Sequence, residues 1–175
     1  MKNMLCAVIA SLILAMPLTA GAAADPAAKG LMLPGDMTSD LASIAIDAAV
    51  KKAREQGTLM NIAIVDAGGN LKAFHRMDGA FLGSIDISIK KAVSSRYLNM
   101  PTTQLAAASN KPEAELYGIE VTNNGMVIFG GGELLKDKDG TIIGAIGVSG
   151  SSVANDVAAA QAGAAAVLAA SKSGK

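Results

Sequence analysis

The sequence predicts an α+β domain in which helices flank an antiparallel sheet, and three observations predict it. Segments with apolar residues at helical spacing alternate with short β-branched runs, in the order helix, two strands, helices, several strands, helix. Strong turn chemistry, Ala67-Gly68-Gly69-Asn70 and Asp139-Gly140, separates strands that are close in sequence, as hairpins require. The chain has 175 residues and no internal repeat, enough for one sizeable core and not for two.

The first 24 residues read as a cleaved signal peptide. Lys2 supplies a positive start, and Met4 to Met16 is an almost unbroken apolar run. Pro17 ends it, and Ala20-Gly21-Ala22-Ala23-Ala24 offers small residues for a peptidase ahead of Asp25. The run is too short for a permanent membrane helix, and Cys6 lies too early for a lipoprotein cleavage box. The expected location is periplasmic or secreted. Residues 25–37, with two prolines and two glycines, read as a flexible linker, and residues 38–172 as the domain.

A first helix starts near Thr38 or Ser39, either of which can cap it, and carries Leu41, Ile44, Ala45 and Ala48 on one face until Gly57. Lys51, Lys52 and Arg54 complement its C-terminal dipole. Met60 to Asp66 reads as a strand and Leu71 to Met77 as its antiparallel return. A second helix follows Asp78-Gly79, with Leu82, Ile85, Ile89, Ala92 and Val93 as its apolar stripe. It stops near Pro101, where Thr102 or Thr103 can cap a short helix to Ser109. Strands are expected over Tyr117–Thr122, Met126–Lys136 and Thr141–Ser149. Ser151 or Ser152 then caps a terminal helix with Val153, Val157, Ala160, Ala164 and Val167 on one face.

Composition narrows the function classes. Fifteen basic and fifteen acidic residues balance, and removing Lys2 with the leader leaves fourteen against fifteen. A near-neutral chain with 3% aromatic residues lacks the basic face and stacking platforms of a nucleic-acid binder. Cleavage after Ala24 also removes Cys6, the single cysteine, which excludes disulfides, thiolate metal sites and a cysteine nucleophile. Abundant alanine on a near-neutral surface favours self-association.

His75 is the single histidine and hence the candidate ligand for a metal or haem iron, beside the simpler reading of a packed or surface strand residue. On a strand it shares a face with Ala73 and Met77, while Phe74 and Arg76 point the other way. Tyr97, Tyr117 and Met77 are weaker ligand candidates. One histidine without cysteine leaves a closed zinc site short of ligands. Arg76, Asp78 and Lys91 form a second constellation, able to grip propionates or a small carboxylate, or else to form a structural ion pair between Arg76 and Asp78. Gly144, Gly147 and Gly150 precede a capped helix, as in an anion cradle, but the spacing matches no dinucleotide or phosphate-loop fingerprint, and close strand packing explains it better. Gly130-Gly131-Gly132 reads as a bulge or a close backbone approach.

Several stretches together resemble the GlcG/HbpS family, which includes the C-terminal domain of PduO-type proteins. They are Val65–Leu71, Phe74–Ala80, Ser84–Ala92, Phe129–Gly132 and Ile143–Gly150, in the same order, within a resemblance running from about Thr38 to the terminal helix. The resemblance implies a profilin-like or roadblock-like fold, frequent octamers, and haem binding in some members. PduO-type relatives are expected to ligate haem through a histidine on the first helix. That helix reads Ala48-Ala49-Val50-Lys51-Lys52-Ala53-Arg54 here, without one. HbpS-type members are described as using a threonine, for which Thr102 and Thr103 are the nearest positions. The expectation is an exported, homo-oligomeric haem-binding protein that sequesters haem, degrades it, or senses it with a membrane partner. Arg76, Asp78 and Lys91 would lie toward the propionates, with His75 or a threonine near iron. The alternatives are an enzyme or accessory factor acting on a small carboxylic acid such as a hydroxy acid, and a ligand-free assembly protein.

Overall fold

Four antiparallel strands in the order β2-β1-β4-β3 form the middle layer of the computed structural model, which describes residues 35–173. The proposed signal peptide and most of the linker lie outside the described residues. The elements are α1 (Ser39–Glu55), β1 (Asn61–Asp66), β2 (Leu71–Arg76), α2 (Gly83–Leu98), α3 (Thr102–Ser109), a 3-10 turn (Ile119–Val121), β3 (Gly132–Lys136), β4 (Ile142–Ser149) and α4 (Val153–Lys172). The α+β architecture with its antiparallel sheet is as the sequence predicts.

Strand alternation divides the core in two. Ile62 and Ile64 of β1, with Ile146 and Val148 of β4, face α1 and α4. Ala63, Val65 and Ala145 face α2, where Ala92, Ile89 and Val93 meet them. Thr38 caps α1 by accepting the Leu41 N–H at 3.2 Å, and Ser152 caps α4 by accepting from Asn155 at 3.3 Å. At Gly163, in the middle of α4, a Cβ would lie 2.9 Å from the Ala45 carbonyl oxygen, so glycine lets α1 and α4 approach closely. Alpha4 is long and apolar enough to cross a membrane by composition, yet its Ala159, Ala160, Gly163 and Val167 are buried against the core.

The largest departure from expectation is the orientation of α2. Its buried residues are Ser84, Ser88, Lys91, Ala92, Ser94 and Ser95, while Leu82 is 71% exposed and Ile85 and Ile89 are half-buried. The reason lies in the strands beneath. A Cβ on Gly147 would meet the Ala92 nitrogen at 2.5 Å, and one on Gly132 would meet the Lys91 carbonyl at 2.5 Å. Alpha2 therefore lies nearly on the strand backbone, and only small side chains fit at that contact. Gly144 and Gly150 also serve close packing, against the Val65 and Leu59 carbonyls, so the glycine series is structural.

Lys91 is the large residue on that face, and it is fully buried. Its ammonium donates to Asp156 Oδ2 at 2.7 Å and to the Val148 carbonyl at 2.9 Å, with the Phe129 ring centroid 4.8 Å away. Asp156 Oδ1 also accepts the Ser151 N–H at 3.2 Å. Burial pushes the Lys91 ammonium below its ordinary pKa and the Asp156 carboxyl above its own, while the pairing opposes both shifts. The pair ties α2 to the first turn of α4 across the end of β4.

The last third also differs from expectation. Tyr117–Thr122 is no strand: Gly118 has φ +86°, and the Val121 and Thr122 N–H groups close back on the Gly118 and Ile119 carbonyls. Asn123, Asn124 and Gly125 then take left-handed backbone and reverse the chain. The strand expected over Met126–Lys136 begins only at Gly132, because the Val127 N–H bonds the Ser94 hydroxyl and Gly131, at φ +117°, breaks the extended run. Pro101 occupies the cap position of α3, with no side-chain cap bond, and Thr102 is already helical. The Asp139-Gly140 hairpin forms, with the Asp137 N–H on the Thr141 carbonyl at 3.0 Å.

Removing one partner of a buried ion pair leaves the other charge uncompensated. Lys91→Met is expected to lower stability by about 3–5 kcal/mol. Adding Asp156→Asn should recover more than half of the loss, since the amide oxygen can still accept from Ser151. Urea unfolding midpoints of the wild type and the two variants check this, and equal losses in the single and double variants would refute the role given to the pair.

Candidate functional site

Beta2 is a sheet-edge strand, and its outer end lies beside the C-terminal half of α1. Ile46, Val50 and Arg54 recur every fourth residue of α1 and present one line of side chains toward it. Ala73 of β2 and Met77 just beyond its end pack into the core on the α1 side, and His75 between them stands exposed. The register places His75 opposite Ile62 and Arg76 opposite Asn61, both at the start of β1.

Two adjoining grooves result. One, of about 510 Å³, is lined by Arg54, Gly57, Thr58, Leu59, His75, Arg76, Met77 and Asp78. The other, of about 480 Å³, is lined by Ile46, Asp47, Val50, Lys51, Arg54, Glu55 and His75. His75 and Arg54 belong to both and form the ridge between them. Each groove has a buried apolar wall, Met77 in the first and Val50 in the second, under a charged rim. Among the described residues neither Arg54 nor Arg76 enters an ion pair, so both cations are available to an anionic ligand.

The structure therefore brings His75, Arg76 and Asp78 into one groove and separates the other candidates from them. Lys91 does not join the expected constellation. It is buried under α2 in its pair with Asp156, and the expected Arg76–Asp78 ion pair does not form. Thr102 is buried and accepts the Gly132 N–H at 2.8 Å. Thr103 is exposed on the next position of α3, beside Gly130. Both threonines sit by β3, the opposite edge of the sheet, three strand spacings or roughly 14 Å from β2. Tyr97 and Tyr117 are exposed and line neither groove, whereas Met77 is buried in the wall of the first and its sulfur accepts the Met60 N–H. The carboxylate-gripping triad thus reduces to Arg76 with Asp78.

Arg54 is the groove residue that sequence reasoning missed. It reads as a helix-terminal cation complementing the dipole. Its four-residue spacing from Val50 and Ile46 was the available signal, once β2 is known to run beside that face. No group of three or more His, Cys, Asp or Glu side chains converges among the described residues, at His75 or elsewhere.

Comparison with known proteins places this geometry. The model of the family described as "Haem degrading protein HbpS-like" matches residues 37–165. An uncharacterised 15.0 kDa protein of the dhaT–dhaS intergenic region of Citrobacter freundii is 37% identical over 126 residues, covering 68% of this chain and 88% of that protein. The crystal structure of a PduOC:haem complex superposes with a TM-score of 0.70 at 34% identity, over 75% of this chain and 94% of that one. The crystal structure of HbpS superposes with a TM-score of 0.68 at 30% identity, over 78% and 93%. With the family model matching residues 37–165 and the solved relatives superposing over three quarters of its length, the chain belongs to the HbpS-like family.

Proposed function

We propose that this protein binds haem outside the cytoplasm, on the His75 ridge between α1 and β2, and that it sequesters or senses haem there. The observation that carries the reading is the placement of the single histidine between two grooves that share Arg54. Each groove has the volume of a small-molecule site, about 300–1,000 Å³, and combines an apolar wall with a few polar groups. The residues present fit the group. Haem needs an axial donor, an apolar surface for its macrocycle and cations for its propionates. His75 supplies the first, Val50 and Met77 the second, and Arg54, Arg76 and Lys51 the third. When bound, the iron would supply redox and ligand-binding chemistry; the chain's own residues hold and orient the macrocycle. The family description and the haem complex of PduOC support the same reading. Degradation of haem, and a membrane sensor as partner, are extensions of it.

The test is a haemin titration of the chain beginning at Asp25, followed by absorption. A saturable Soret change with one-to-one stoichiometry is expected, lost or strongly altered in His75→Ala and weakened about tenfold in Arg54→Ala. Absence of saturation in the wild-type chain would refute haem binding, and an unaltered spectrum in His75→Ala would remove His75 as the axial ligand.

Export rests on the charge and apolar pattern of residues 1–24. Expressed in a bacterium with its own leader, the protein should be recovered from the periplasm or medium with Asp25 as its first residue. Intact Met1 on cytoplasmic material would refute that location. Assembly into a homo-oligomer, an octamer in the proposed form, is supported by Leu59 at the lip of the first groove and by Phe81 and Leu82, both 71% exposed. Light scattering on the purified protein should return several times the monomer mass, and a monomer at micromolar concentration would refute assembly.

A further inference from the structure

A second polar pocket lies at the other end of β1, on the α2 side of the sheet. It measures about 400 Å³ and is lined by Ala67, Gly68, Arg96, Tyr97, Leu98 and Asn123. From the Ile62–His75 pair to Ala67 is five strand residues, roughly 17 Å at 3.3 Å each, so this pocket is separate from the haem grooves.

Its charge is one-sided. Arg96, in the last turn of α2, is the single charged residue of the lining, and it enters no ion pair among the described residues. The two carboxylates beside the Ala67–Gly68 turn are already committed, and Glu120, three residues before Asn123, makes no ion pair with Arg96. Asp66 accepts from the Gly68 and Asn70 N–H groups and from the Asn70 amide, and Asp36 accepts from Met37 and Ala67. The Arg96 guanidinium donates through one terminal nitrogen to the Asn99 side chain, while its Nε is buried without a partner among the described residues. A desolvated donor of this kind is costly unless an acceptor meets it. Beside it stands Tyr97, half exposed, its ring fitted against Gly69 where a Cβ would otherwise lie. Gly69, at φ +82°, thus makes room for the ring and holds it in place.

We propose that this pocket binds a small carboxylate with a planar apolar body. The Arg96 guanidinium takes the carboxylate through its terminal N–H groups, those not held by Asn99 being free to donate. The Tyr97 ring covers the apolar body, and Asn123 completes the lining. The site is independent of the haem reading and shares no residue with it.

Benzoate is the probe. The chain has no tryptophan and two tyrosines, so tyrosine emission reports on Tyr97 against a single background residue, and the Arg96 Nε–H resonance reports on the guanidinium. Titration should give a saturable change in both, with affinity reduced at least tenfold in Arg96→Gln and unchanged in His75→Ala. Acetate should bind several-fold more weakly, since it lacks the planar body, and inorganic phosphate at matched ionic strength should not compete. Should Arg96→Gln fail to fold, Arg96→Lys keeps the charge, removes the fork, and should show the same loss. No saturation, an equal response in both Arg96 variants and wild type, or equal competition by phosphate would overturn the proposal. Loss of benzoate binding in His75→Ala would show one site instead of two and overturn it as well.

Discussion

The approach of α2 to the backbone of β4 is the constraint on which the rest of this structure depends. A helix can lie that close to a strand only where both surfaces are nearly bare, and here Gly147 and Gly132 meet a helix face of Ser84, Ser88, Ala92 and Ser95. The contact gains dispersion and backbone packing but little hydrophobic area per residue. The missing area is offset elsewhere, by the larger side chains of the opposite layer, where Ile62, Ile64, Ile146 and Val148 pack under α1 and α4. Lys91 completes the arrangement. Its aliphatic stem crosses the small-residue layer, and its ammonium reaches Asp156, where a shorter side chain would leave that carboxylate alone. The same closeness turns the bulkier side of α2 outward, which explains an exposed Leu82 in a chain with few aromatic residues to hide it.

That constraint also sorts the candidate ligand residues. Whatever lies under α2 is sealed, so Lys91 and Thr102 are spent on structure, one on a carboxylate and the other on the Gly132 amide. What remains reactive lies on the sheet's edge and ends. Beta2 pairs on one side only, so the chain can present consecutive side chains, His75 and Arg76, on the two faces of a strand that is solvated along one border. The opposite edge is blunted by the short β3 and the glycine loop before it.

The fold was legible where local chemistry and tertiary packing agree. Thr38, Gly57, the Ala67–Asn70 turn, Asp139-Gly140 and Ser152 each do locally what the complete structure requires, so α1, both hairpins and α4 could be read directly. Alpha2 could not be oriented, because its apolar stripe is the natural core face unless the sheet beneath is known to be glycine. Tyr117–Thr122 looks β-branched enough for a strand, but Gly118 and the Asn123-Asn124 pair set left-handed corners at both ends and leave room for only one tight turn. The site was half legible. His75, Arg76 and Asp78 are adjacent in sequence and stay together in space, whereas Arg54 joins them only through the packing of α1 on β2. Lys91 was misplaced because a lysine flanked by Lys90 and Ala92 carries no local sign of being the buried one.

A lone histidine is a poor metal site for zinc, which takes three or four side chains to hold, and no group of that size converges at His75 among the described residues. Iron in haem poses a different requirement. The macrocycle brings its own four equatorial nitrogens, so the protein contributes only an axial donor and a surface that fits the plate. On the reading proposed above, the grooves flanking His75 would take the macrocycle, with its charged propionates toward the charged rim. With Met77 and Val50 to the two sides of His75 and Arg54 and Arg76 at the rim, the proposed ligand would meet dispersion and charge at different parts of its surface. A small carboxylate at the same place would meet Arg76 beside the unpaired Asp78 carboxylate and would use little of the apolar wall. On that reading, the groove would discriminate by the size of the apolar body that accompanies the charge, the macrocycle using more of the wall than a small acid would.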